Sequence, residues 1–210
     1  MEKKTLLILP GNNRINEPSH IKRYELLQSL CETNNYNMQI IDYYELLGDK
    51  DFNICNLVDL IKLSTFLNNV EIVFGISYGC NVLLRLLECE QVFIPKCNRI
   101  ALWGAYPYWY YHASLVTEAV ETKKYIERQG FKLQPENAFR LEKPIEEMIY
   151  KYKGNIDINL GWGVKDKISS NEFNQYISTL NNKVILHPIE GEEHIIDTYN
   201  EQYNTLIFGI

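Results

Sequence analysis

The sequence predicts an α/β fold of three layers, with about six mostly parallel strands, helices on both faces and a small helical lid. Three observations predict it. Short apolar runs of strand length alternate with longer segments of helical periodicity along the whole chain. The strand runs are almost continuously apolar, as expected where both faces of a parallel sheet are covered. The alternation breaks once, over residues 106–153, where an aromatic cluster and two polar helical stretches suggest an inserted lid. At 210 residues the chain has the length of a single domain, 1–210, with 106–153 as an insertion within it.

The elements follow in order. "TLLILPG" (5–11) is a short strand ended by Pro10-Gly11. Residues 18–34 open with Pro18 and Ser19 and place Ile21, Tyr24, Leu27, Leu30 and Cys31 at helical spacing. "YNMQIIDYY" (36–44) is strand-like, and "NLVDLIKLSTFL" (56–67) is an amphipathic helix. "VEIVFG" (70–75) is a strand, "GCNVLLRLLECE" (79–90) a helix, and "CNRIALWGA" (97–105) a strand ending on glycine. After the insertion come the strand "NIDINLGWG" (155–163), a helix over about 169–181, the strand "KVILHPIEG" (183–191) and a last helix near 198–208. No internal repeat or low-complexity linker occurs.

Composition narrows the function. The net charge is −6 with no block of like charges, which gives no footprint for nucleic acid or an anionic membrane surface. The apolar run after "MEKK" is too short for a signal peptide, and no window has the length of a membrane span. The five cysteines, Cys31, Cys55, Cys80, Cys89 and Cys97, form no C-x-x-C pair and read as free thiols of a reducing compartment. A cytoplasmic protein without metal or cofactor is expected. Neither G-x-G-x-x-G nor a Walker-type loop follows any strand, which argues against a nucleotide-binding α/β protein.

In a parallel sheet, reactive groups gather just after the strands. Ser77 stands there, in "VEIVFGISYGCNVLLRLLE": strand, turn, helix, with the serine at the apex. Gly75 and Gly79 have a steric reason, because a side chain at either would clash across so sharp a turn. The helix N-terminus after Ser77 would favour developing negative charge. The competing reading is a small residue in a tight turn; the strand and helix flanking it favour a nucleophile.

A serine hydroxyl needs a base, and the base a carboxylate. Of four histidines, His20 reads as a surface residue at the start of the first helix and His112 ends the aromatic patch. His187 lies inside a strand, as a core or edge residue. His194, in "EGEEHII", follows a strand. Among the acids, Asp166 in "GVKDKISS" also follows a strand. Asp157 lies within one, Asp42 comes early, and Asp197 decorates the last helix. The order is then Ser77, Asp166, His194.

These residues resemble the α/β-hydrolase family: a G-x-S-x-G elbow (Gly75, Ser77, Gly79), an acid in a G-x-x-D loop (Gly163, Asp166) and G-x-x-H near the C-terminus (Gly191, His194). The likeness runs over residues 5 to about 205. Some members carry the acid after the preceding strand, but that strand ends here in "WGAYPYWYYH", without a carboxylate, so Asp166 is preferred. The resemblance implies an oxyanion hole from the backbone N–H of Tyr78 and, in the loop "LPGNNR", that of Asn12. Where the family often has His-Gly, this chain has Pro10-Gly11. Relative to the family fold the chain begins late, without room for the first antiparallel hairpin, so six parallel strands are expected.

The insertion opens with "YPYWYYH" (106–112), near the carboxyl edge of the sheet. Most of these aromatics would pack the cap onto the sheet; Tyr106 or Trp109 would line a pocket for an acyl or aryl group. The expected function is a serine hydrolase cleaving an ester or thioester of a small to medium, partly apolar acyl group, free or carrier-protein-bound. Amidase, peptidase or acyltransferase activity uses the same triad, and a non-catalytic ligand-binding hydrolase fold is the remaining alternative.

Overall fold

Leu6 and Ile8 of the first strand face one side of the sheet and Leu7 and Leu9 the other, and all four are buried. This two-sided burial sets the architecture. The computed structural model describes residues 3–11, 15, 18–48, 54–63, 67, 69–88, 96–105 and 143–210. They form one sheet of six strands: β1 (Lys4–Leu9), β2 (Tyr36–Ile40), β3 (Val70–Ile76), β4 (Arg99–Trp103), β5 (Ile158–Gly163) and β6 (Val184–Ile189). The order is β2-β1-β3-β4-β5-β6, and every neighbouring pair is parallel.

Helices cover both faces. On one lie α1 (Pro18–Thr33), through Tyr24, Leu27, Leu30 and Cys31, and the C-terminal π-helical turn Asn204–Phe208, through Leu206 and Ile207. On the other lie α2 (Tyr43–Leu47), α3 (Ile54–Lys62), α4 (Tyr78–Glu88), α5 (Ile145–Lys151) and α6 (Asn171–Leu180). Each fully buried Leu or Ile in these layers contributes roughly 1.5–3 kcal/mol. The three-layer arrangement with six parallel strands agrees with the expectation from sequence.

One element and one residue depart from it. The strand-like run 36–44 stops at Ile40, because the Asp42 carboxylate accepts from the N–H groups of Tyr44 and Glu45 at 2.9 and 3.2 Å and starts α2. An N-cap thus overrides the strand propensity of a Tyr-Tyr pair. His20, read as a surface residue, is buried at 9% exposure. Within 106–153, residues 145–151 form α5, which packs between α4 and α6 and buries Ile145, Met148 and Ile149. The Asn181 side chain donates to the carbonyls of Ile149 and Tyr152 at 2.8 and 2.9 Å, joining the ends of α5 and α6. The helical stretch expected over 115–130 lies outside the described residues.

Because all strands are parallel, their carboxyl ends share one edge. The strand order reverses at β1, so the crevice between the ends of β1 and β3 is the topological switch point, where open α/β sheets bind ligands. Gly11 follows β1 there, and a β-carbon built on it would lie 3.8 Å from that of Ser77.

Candidate active site

Ser77 sits between β3 and α4 with φ 53°, a left-handed conformation that a side-chain-bearing residue rarely adopts. Its N–H donates to the Trp103 carbonyl at 2.8 Å, and its own carbonyl accepts from the Cys80 N–H at 2.9 Å. The strain is held by tight packing. A β-carbon at Gly75 would lie 2.8 Å from the Gly79 carbonyl oxygen, and one at Gly79 would strike the carbonyls of Leu9 and Pro10. Both glycines are therefore required by close approach of backbone to backbone, as the sequence implied.

His194 reaches this serine from the loop after β6. Its Nε2 lies 3.1 Å from Ser77 Oγ, and its Nδ1 lies 2.7 Å from Asp166 Oδ2. The imidazole thus bridges hydroxyl and carboxylate, joining side chains 117 and 28 positions apart in sequence. With Nδ1–H donating to the carboxylate, Nε2 presents its lone pair to the hydroxyl, which is the tautomer a general base needs.

Asp166 lies in the loop after β5, its side chain fully removed from solvent. Oδ1 accepts from the N–H groups of Ile168 and Ser169 at 2.7 and 3.0 Å, leaving Oδ2 for the imidazole. Burial alone would raise the carboxyl pKa. The hydrogen bond and charge of His194, with the two backbone donors, outweigh it and leave the group below its ordinary value. A buried, ionised carboxylate on Nδ1 stabilises an imidazolium.

The acid and base loops are fastened to each other. The Lys165 N–H donates to the Glu192 carbonyl at 3.0 Å, and a β-carbon at Gly163 would strike that same carbonyl. The other candidates are occupied elsewhere. Asp42 caps α2, Asp157 pairs with Lys183 at 3.5 Å on the surface, and Asp197 is exposed. His187 lies on the edge strand β6 with Nε2 3.0 Å from Asn159 Oδ1. Asn12, Tyr106, Trp109 and His112 lie outside the described residues. Tyr78, the first residue of α4, is buried and packs edge-on against Tyr43, ring centroids 6.3 Å apart.

Some supporting residues had no signal in the sequence. The Trp103 indole N–H donates to the His194 carbonyl at 2.8 Å, and Gly104, at φ 63°, leaves space that the imidazole occupies. Asn174, completely buried, donates to the carbonyls of Ser169 and Ser170 at 3.0 and 2.8 Å and steadies the loop that holds Asp166. Glu192 is buried two residues before His194 and accepts from the Thr198 hydroxyl at 2.9 Å. Each of these contacts depends on tertiary folding, apart from the positive φ that a glycine after a strand can hint at.

The sheet order, the two helical layers and the strand-end loops define the α/β-hydrolase fold. Among solved structures, the chain is similar to an α/β-hydrolase from the metagenome of sediments from the lagoon of Mar Chica, Morocco. There the TM-score is 0.66 at 16% identity, covering 98% of this chain and 89% of that one. It is also similar to the N-formylmaleamic acid deformylase of Pseudomonas putida S16, with TM-score 0.62, 16% identity, and 98% and 92% of the two chains covered. An esterase from Exiguobacterium antarcticum gives TM-score 0.63 at 13% identity over 91% and 85%. Neither a family model nor a curated protein sequence matches the chain.

Among the described residues, no group of His, Cys, Asp and Glu is arranged to hold a metal ion, and no helix is long and apolar enough to cross a membrane.

Proposed function

We propose that the protein is a serine hydrolase that cleaves an ester or thioester of a small to medium, partly apolar acyl group. The observation that carries this reading is the unbroken line from Ser77 Oγ through the His194 ring to the buried Asp166 carboxylate, at 3.1 and 2.7 Å. Both spacings are hydrogen-bond distances, and each residue stands in a strand-end loop at the switch-point edge.

Ser77 Oγ attacks the acyl carbonyl carbon while His194 Nε2 takes the hydroxyl proton. The tetrahedral oxyanion is met by the N–H of Tyr78, at the N-terminus of α4, and by that of Asn12, next to Gly11. His194 gives its proton to the leaving oxygen or sulfur, the carbon–heteroatom bond breaks, and an acyl-enzyme remains. Water attacks that ester with His194 again as base, which releases the acid and restores Ser77. Asp166 stays ionised throughout and holds the imidazole in the required tautomer. Tyr106 and Trp109 are assigned to the acyl pocket, and within the segment 106–153 the lid role falls to the part before α5, because α5 itself is packed between α4 and α6 in the body of the single domain. The chemistry needs no metal or cofactor. The substrate is a small molecule, free or carried on a protein, and the enzyme works in the cytoplasm.

Amide cleavage is a second reading, favoured by the likeness to a deformylase, whose name describes removal of a formyl group. The test is labelling by a fluorophosphonate probe of wild type, Ser77→Ala and His194→Ala. Stoichiometric labelling confined to wild type supports the hydrolase; no labelling of folded wild type refutes it. Matched nitrophenyl esters, thioesters and anilides of graded chain length then separate the bond types.

A further inference from the structure

We propose that Trp103 is a positioning residue that sets the distance between Ser77 and His194 by holding both of them. The proposal rests on the hydrolase reading of Ser77 and assigns a role to a residue that touches no substrate. Trp103 ends β4, in register with Ile76 at the end of β3. Its main-chain carbonyl accepts from the Ser77 N–H at 2.8 Å, and its indole N–H donates to the His194 carbonyl at 2.8 Å. One residue is thus bonded to the main chain on either side of the reacting pair.

The side chain is suited to this task. It is fully buried, and its ring packs edge-to-face on Tyr203 with centroids 5.4 Å apart, so it has one orientation. Indole offers a donor and no acceptor, so it can only bind a carbonyl in this way. Glu193 and Ile195 on either side of His194 are exposed, so the loop is anchored at Glu192 and Ile196 and, between them, by the indole bond to the His194 carbonyl itself. The carbonyl bond to Ser77 would persist with any residue at 103. The bond to His194 requires the indole N–H. Moving the His194 main chain moves Nε2 away from Oγ, and displacements of about 1 Å can cost up to 10²-fold in rate.

The experiment compares wild type with Trp103→Phe and with the benzothienylalanine analogue at 103, in which sulfur replaces the N–H at nearly unchanged shape. Fluorophosphonate labelling supplies both a rate and an end-point stoichiometry. The downfield Nδ1–H proton resonance of His194 reports the imidazole without needing catalysis. The expected result is full stoichiometry, a labelling rate lowered about tenfold in both variants, and a shifted or exchange-broadened resonance. Unchanged rate and resonance in the isosteric analogue would overturn the proposal. So would reduced stoichiometry with an unchanged rate per labelled site, the signature of a merely structural tryptophan. If wild type is not labelled at Ser77, the hydrolase reading fails, and the Nδ1–H resonance still decides the role of Trp103.

Discussion

Gly104 stands at φ 63° directly against His194, such that a β-carbon built on it would lie 2.8 Å from Cε1 and 3.0 Å from Nδ1 of the imidazole. The glycine is required twice, by its left-handed backbone and by the ring that fills its side-chain space. Gly104→Ala should therefore affect activity more than stability. The backbone strain costs about 1–3 kcal/mol, read from urea denaturation. The displaced imidazole should lower ester hydrolysis on the order of 10²-fold. Near wild-type turnover would show that His194 has another working position.

Ser77 itself adopts φ 53° at the elbow. Glycine reaches that region without penalty, whereas an L-residue is disfavoured by roughly 1–2 kcal/mol. Of the two variants that remove the hydroxyl, Ser77→Gly should then be more stable than Ser77→Ala by about 1 kcal/mol. Denaturation midpoints of the pair measure this directly. An Ala variant equal to or above the Gly variant would mean that the elbow relaxes when the hydroxyl is removed.

Asp166→Asn keeps an oxygen for the amides of Ile168 and Ser169 but turns an NH2 group toward His194 Nδ1. The imidazole must then carry its proton on Nε2, where it cannot accept from Ser77. The loss in kcat should be about 10⁴-fold, with KM little changed. The same carboxylate makes stability depend on pH. Its folded pKa lies below the ordinary 3.8, so its contribution is complete above about pH 4 and is lost as pH falls through the folded value. Acid titration of denaturation should show a shallower decline below pH 4 in Asp166→Asn than in wild type.

What was legible in the sequence and what was not divides along the range of the interactions. Strands such as "TLLIL" and "EIVFG" could be read because burial on both faces demands apolar residues throughout. Ser77, Asp166 and His194 could be picked out because each follows a strand, and parallel strands deliver those positions to one edge. Local competition was harder to read: the Asp42 cap converts a strand-like Tyr-Tyr into helix. Long-range support left no trace, since nothing near Trp103 in sequence signals a carbonyl 91 residues away.

The last expectation concerns the end of the sheet away from the site. Asn159 Oδ1 accepts from Arg99 Nη2 at 2.9 Å and faces His187 Nε2 at 3.0 Å, so His187 carries its neutral-state proton on Nε2. Arg99 also donates through Nε to the Leu206 carbonyl at 3.1 Å, and through Nη2 to the Thr205 carbonyl, tying the C-terminal turn to β4. Burial first, and then the Arg99 charge, push the His187 pKa below its ordinary 6.5. The unfolded chain therefore binds a proton that the folded one resists, so this contribution is complete above about pH 6.5 and is lost as pH falls through the folded value. Urea midpoints should decline between pH 7 and 5, and His187→Gln, which keeps an N–H donor for Asn159 without a titrating ring, should flatten that decline. Hydrogen-exchange protection factors of residues 204–208, taken relative to the intrinsic rate at each pH, should fall over the same interval in wild type, because protonation sets a second cation beside the guanidinium that holds them. Identical pH profiles for wild type and His187→Gln would remove His187 as the cause.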